Sequence, residues 1–137
     1  MPIVLNTNVV VSGLLNAFGP SGQIVRLVAV GNLDLCYDAR ILTEYRQVLL
    51  RPKFRFERRL VEVFLQQIQS GGVDVLARPL ALTLPDSDDA MFMEVAVAGR
   101  ASHLVTGNLK HYPLSLTSAF RVVSPREFVD ELARSEE

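Results

Sequence analysis

The feature that most constrains this chain is an alternation sustained along its length: short apolar runs of strand length are separated by segments whose apolar residues recur at helical spacing. Ile3-Val4-Leu5, Leu33 to Tyr37, Val73 to Leu76, Ser102 to Thr106 and Phe120 to Val123 read as strands. Between them lie a helical segment opened by Pro20-Ser21-Gly22 and stopped by Gly31, and a second capped by Asp38 and ended at Arg51 by the proline that follows. A third runs from Glu57 to Gln69, and an apolar fourth from Ala90 to Ala98 after the acidic start Asp86-Ser87-Asp88-Asp89. The last opens on Ser124-Pro125-Arg126-Glu127, a capping box with proline at the first helical position. Val9-Val10-Val11 suits either an extension of the first strand or the helix that Ser12 and Gly13 announce, and periodicity does not separate the two. Such alternation implies an α/β fold with a parallel sheet covered by helices on both faces.

Length and charge narrow the function classes. A chain of 137 residues has the size of one domain, expected to span residues 1–137. Fourteen basic against fifteen acidic residues, a formal charge of -1, exclude a uniformly basic nucleic-acid binder but not a local basic patch. The single cysteine, Cys36, excludes a disulfide framework and a cysteine-based zinc site. Met1-Pro2-Ile3-Val4-Leu5 lacks a basic leader, and no apolar run approaches the roughly 18 residues that span a bilayer, so a cytoplasmic protein without membrane contact is expected.

In an open parallel sheet, sites form beyond the carboxyl ends of strands, where strand order reverses. The residues so placed are Asn6, Thr7 and Asn8, the Asp86 to Asp89 cluster, and Thr106, Gly107 and Asn108. Glu44 joins them if its helix turns the same end toward that edge. An oxygen-rich set without histidine or thiol suits Mg²⁺ or Mn²⁺. Asp86 is expected to cap the helix start, leaving Asp89 for chemistry; Asn8 and Ser12 hold the loop, with Asp88 and Thr106 in support. Glu44 has Arg40 one turn before it as a default ion-pair partner, and Glu94 would reach the site only through water. His103 and His111, few and far apart, read as surface or strand-end residues. Arg51, Lys53, Arg55, Arg58 and Arg59, interleaved with Phe54 and Phe56, form the basic cluster, which suits either a solvated helix start or a surface for single-stranded RNA phosphates with base stacking, or for an antitoxin peptide; Phe54 and Phe56 equally suit core or dimer contacts.

These motifs carry a resemblance. Val4-Leu5-Asn6-Thr7-Asn8, Leu42-Thr43-Glu44 through Leu49, Asp86-Ser87-Asp88-Asp89, Leu104-Val105-Thr106-Gly107-Asn108 and Ser124-Pro125-Arg126-Glu127-Phe128 resemble, in order and interval, the motifs of PIN-domain proteins of the VapC-type toxin class. The resemblance implies a three-layer α/β/α sandwich on a parallel sheet of four or five strands, and a metal-dependent endoribonuclease acting in a type II toxin-antitoxin pair. It implies Glu44, Asp89 and Asn6 as catalytic residues; Asn6, Glu44, Asp86, Asp89 and Asn108 as ligands of Mg²⁺ or Mn²⁺; and RNA, an antitoxin protein and a second copy of the chain as partners. Asn6 departs from the pattern, which has Asp there, and an uncharged amide should weaken the ion site. Two rivals share the sequence features: a non-catalytic RNA- or antitoxin-binding module on the same fold, and a receiver-like phosphoacceptor domain, disfavoured because the first strand ends in Asn-Thr-Asn rather than in paired acids.

Overall fold

The computed structural model describes residues 1–80, 84, 86–112 and 119–135; Pro85, which precedes the acidic run, lies outside them. Eleven main elements follow in order: β1 (Pro2–Leu5), α1 (Thr7–Leu15), α2 (Pro20–Ala29), β2 (Asp34–Tyr37), α3 (Ala39–Leu49), α4 (Arg58–Gly71), β3 (Val73–Asp74), α5 (Ala90–Ala98), β4 (His103–Val105), β5 (Arg121–Val123) and α6 (Pro125–Ser135). All strand pairings are parallel, in the order β3-β2-β1-β4-β5, and helices flank the sheet in a three-layer α/β/α sandwich. The first two crossovers move outward from β1 to β3; the third returns across the sheet to place β4 on the other side of β1. That reversal puts the switch point between the carboxyl ends of β1 and β4.

The central strands are apolar without alternation because both faces are covered: Ile3, Val4, Leu5, Leu35, Cys36, Leu104 and Val105 are all fully buried. Val9-Val10-Val11 belongs to α1, not to β1. Asn6 ends the strand and caps the helix, its Oδ1 accepting from the Asn8 amide at 3.2 Å, and Val9 and Val10 face the core from that helix. Close packing of α1 against α2 requires glycine: a Cβ on Gly13 would meet Val25 Cγ2 at 2.5 Å, and one on Gly22 would meet the Ala17 carbonyl oxygen at 2.4 Å. The third strand is shorter than its sequence suggests. It is the sheet edge, and beyond Asp74 the chain continues extended with Leu76 94% exposed.

The capping box of α6 forms as expected, with Ser124 Oγ accepting from the Glu127 amide and Glu127 Oε1 from the Ser124 amide, both at 3.1 Å. Glu131, two turns into this helix at most, fastens it to the sheet through His103 Nε2 at 2.7 Å and through Arg121. Burial alone would raise the Glu131 carboxyl; the hydrogen bond and charge of His103, with Arg121, reverse this and hold it below its ordinary 4.5. A depressed carboxyl stabilises the fold above its unfolded-state value and loses that contribution as pH falls through the folded value. Glu131→Gln should therefore cost about 1 kcal/mol in urea unfolding at neutral pH. The gap to the parent should narrow as pH falls below 4.5 and close once it has passed the lower, folded-state value; a gap that persists in stronger acid would show that charge at Glu131 is not what fastens the helix.

Candidate active site at the sheet switch point

Four segments meet beyond the ends of β1 and β4. Asn6 and Thr7 follow β1, Asp86 to Asp89 form a 3-10 turn before α5, Thr106 to His111 follow β4, and Glu44 comes from α3. Glu44 is placed by its neighbour: Tyr45 is fully buried and donates to the Leu5 carbonyl at 2.6 Å, which holds α3 against the end of β1. Thr7 Oγ1 then donates to Glu44 Oε2 at 2.9 Å. Arg40 is not the partner of Glu44. Its guanidinium lies 2.7 Å from Glu94 and 2.8 Å from Asp38, and Glu94, itself buried, also accepts from the Leu80 amide at 2.9 Å. Glu94 therefore serves the packing of α3 on α5 directly rather than the site through water.

Asp89 is the hub. Its side chain is 10% exposed, its Oδ2 lies 2.8 Å from His111 Nδ1, and its Oδ1 accepts from Asn6 Nδ2 at 3.3 Å. The same Asn6 nitrogen donates to the Tyr112 hydroxyl at 2.7 Å. Asn108 Nδ2 meets His111 Nε2 at 2.8 Å, so one chain of hydrogen bonds runs from Asn108 through His111, Asp89 and Asn6 to Tyr112. Burial pushes the Tyr112 phenol far above its ordinary value and the Asp89 charge adds to this, so Tyr112 stays neutral at any physiological pH. Asp86 caps the turn, its Oδ1 accepting from the Asp88 amide at 2.9 Å, and Asp88 is exposed beside it. Asn8 Oδ1 accepts from the Gly107 amide at 2.9 Å and Thr106 Oγ1 from the Asn108 amide at 3.1 Å, which ties the two strand-end loops together. Ser12 lines the same cleft and donates within its own helix to Val9.

Asp86, Asp89 and His111 offer ligand atoms within 4.8 Å of one another, the spacing of groups that can share one divalent ion. The donor set fits such an ion, with Glu44 lining the same cleft of about 440 Å³. His111 corrects the expectation that neither histidine belongs here: it lies 22 residues past Asp89, and a short turn over Leu109–His111 swings it back. The motif Thr106-Gly107-Asn108 marked that loop in sequence but not the residue that would enter the site. Asn6 presents the opposite surprise. Its oxygen is engaged in capping α1, so the atom it turns toward Asp89 is an N–H donor, not a ligand oxygen.

Of the basic cluster, Arg51 lines the cleft together with Phe54, while Lys53 on the Pro52–Phe54 turn, Arg55 just after it, and Arg58 and Arg59 at the start of α4 are exposed and do not line it. Arg58 and Arg59 open α4. Arg58 lies one turn before Glu62, and the hydrogen bond from Arg46, with the charges of Arg46 and Arg58, holds the Glu62 carboxyl below its ordinary value.

A family model for the PIN domain matches residues 2–110. The chain belongs to the PIN-domain family. Its fold is also that of a chain in the crystal structure of VapBC2 from Rickettsia felis bound to a DNA fragment from their promoter, with a TM-score of 0.56 over 90% of this chain and 98% of that one. Identity is 18%, so the likeness is one of fold. No curated protein matches the sequence. The family match ends one residue before His111, so the histidine of this PIN site and Tyr112 lie just past the matched span.

The bond between Asn6 and Tyr112 closes the chain of hydrogen bonds across the site. Tyr112→Phe should destabilise the fold by about 1 kcal/mol, and a double-mutant cycle with Asn6→Ala should give a coupling of similar size in urea unfolding. Strict additivity would show that the two side chains do not hold one another.

Proposed function

We propose that this PIN domain is a metal-dependent nuclease acting on RNA and the toxin half of a toxin-antitoxin pair. The observation that carries the reading is the convergence of Asp86, Asp89 and His111 within 4.8 Å at the switch point, on a cleft that Glu44 also lines. A divalent ion bound by this set would activate water for in-line attack on a phosphodiester and offset charge on the leaving oxygen. Asp89, Asp86 and Glu44 supply the anionic ligands, and the imidazole nitrogen of His111 tilts the choice from Mg²⁺ toward Mn²⁺. Asn108 acts through His111, whose Nε2 it holds. Thr7 orients Glu44, and Arg51, Lys53, Arg55, Arg58 and Arg59 hold RNA phosphates at the rim.

Support for an antitoxin partner comes from the fold shared with a VapBC chain and from apolar surface at the cleft mouth, where Leu15 is 56% and nearby Phe18 97% exposed. A cytoplasmic location and self-association follow from the same reading, and no helix among the described residues is long and apolar enough to cross a membrane. The receiver-like alternative is set aside by the family match. One observation favours a non-catalytic RNA- or antitoxin-binding module instead: the Asn6 N–H facing Asp89 occupies a direction in which a carboxylate would offer an oxygen.

Cleavage assays separate the two readings. Asn6→Asp should raise Mn²⁺-dependent cleavage of RNA by about 10- to 100-fold, and a chelator should stop it. Glu44→Gln or Asp89→Asn, each added to that variant, should remove the gain while the circular dichroism spectrum stays that of the parent. Equal cleavage by parent and Asn6→Asp, indifferent to chelator, would overturn the metal reading.

A further inference from the structure

The cleft is electrically one-sided. Glu44 and Asp88 also line a second cleft of about 460 Å³ between α3 and α5, so the two meet at the candidate catalytic residues. Arg40 is the cation among the described residues lining that second cleft, and its guanidinium is already held by Glu94 at 2.7 Å and Asp38 at 2.8 Å. With Glu44, Asp88 and Glu94 around it, this branch repels a polyanion. The other branch is lined by Arg51 and Phe54, with Lys53 Nζ 5.1 Å from the Phe54 ring centroid. A nucleic-acid strand that reaches Asp89 is therefore gripped on the Arg51 side.

On that side the chain builds an aromatic platform. Phe56 packs against the hydrophobic core, whereas Phe54 lines the cleft. Between them Arg55 adopts a left-handed conformation, φ 57°, uncommon for a side-chain-bearing residue. The reversal lets the two rings stack with centroids 6.0 Å apart and planes 25° from parallel, and Lys53 Nζ lies 5.1 Å from the Phe54 centroid. The rigid ring is fixed from the core side by its neighbour and presented to the cleft beside a guanidinium.

We infer that the Pro52–Phe54 turn is a nucleotide subsite: one base of a single-stranded substrate stacks on Phe54 while Arg51 and Lys53 hold its phosphate, on one side of the linkage to be cut. The inference rests on the nuclease reading and adds the residues that would seat one nucleotide beside its metal ligands. Stacking on a side chain requires a base face that is free, and in a duplex both faces are covered by neighbouring pairs. Every base has such a face, so the subsite selects strandedness more than sequence.

Binding tests this without depending on turnover. A fluorescein-labelled single-stranded RNA of ten nucleotides and the same length closed into a hairpin duplex are titrated with the intact chain in EDTA, with anisotropy as the readout. The single strand should bind more tightly than the hairpin. Phe54→Ala and Phe54→Leu should each weaken single-strand binding by about 10-fold, Phe54→Trp should restore it, and the hairpin should respond to none of the three. The leucine variant keeps apolar volume, and matching thermal midpoints would exclude a folding effect. Binding that falls on Arg51→Glu but ignores all Phe54 variants would overturn the subsite and leave the nuclease reading standing. A parent chain that binds neither RNA would overturn both.

Discussion

The site depends on one buried carboxylate. Asp89 collects a hydrogen bond from each side of the sheet's switch point, from Asn6 at the end of β1 and from His111 in the loop after β4, and residues 83 and 22 positions away in sequence meet on it. Burying a carboxylate is costly unless hydrogen-bond donors or cations satisfy it. The surrounding residues supply those donors: Asn6 links it to Tyr112, and Asn108 orients His111. The parallel order β3-β2-β1-β4-β5 makes this meeting possible, because only the reversal at β1 opens a crevice between two strand ends.

Around that hub, charge is sorted rather than merely balanced. The near-zero total of -1 conceals an acidic centre at Glu44, Asp86, Asp88 and Asp89, an acidic branch beside Glu94, and a basic rim from Arg51 to Arg59. Within it Arg55 adopts a left-handed conformation, a local cost in backbone energy, while Arg58 lies one turn before Glu62, whose carboxyl its charge helps to lower.

Much of the fold was legible because burial on both faces leaves a clear mark: β1, β2 and β4 carry the unbroken apolar stretches Ile3-Val4-Leu5, Leu35-Cys36-Tyr37 and Leu104-Val105, and the capping box of α6 is local chemistry that needs no tertiary context. The ambiguity at Val9-Val10-Val11 had a physical cause. A helix packed on more than one side loses the periodicity that distinguishes it from a strand, and α1 is such a helix. Asp86 as cap could be separated from Asp89 in sequence because one cap needs one acid, and Asp89 makes no cap bond but meets Asn6 and His111 instead. The pairing of Arg40 with Glu94 rather than Glu44, and the entry of His111, could not. Both follow from how α3 meets α5 and how a short turn folds back, which spacing along the chain does not encode.

As a divalent-metal centre, this hub would take Asp86, Asp89 and His111 as its ligands, with Asn6 turned the wrong way to join them. Crystals of the chain soaked in MnCl₂ and measured at the manganese absorption edge test this. An anomalous peak is expected among these three side chains, stronger in Asn6→Asp crystals under the same soak. No peak there in either form, or a peak only at surface acids elsewhere, would contradict it.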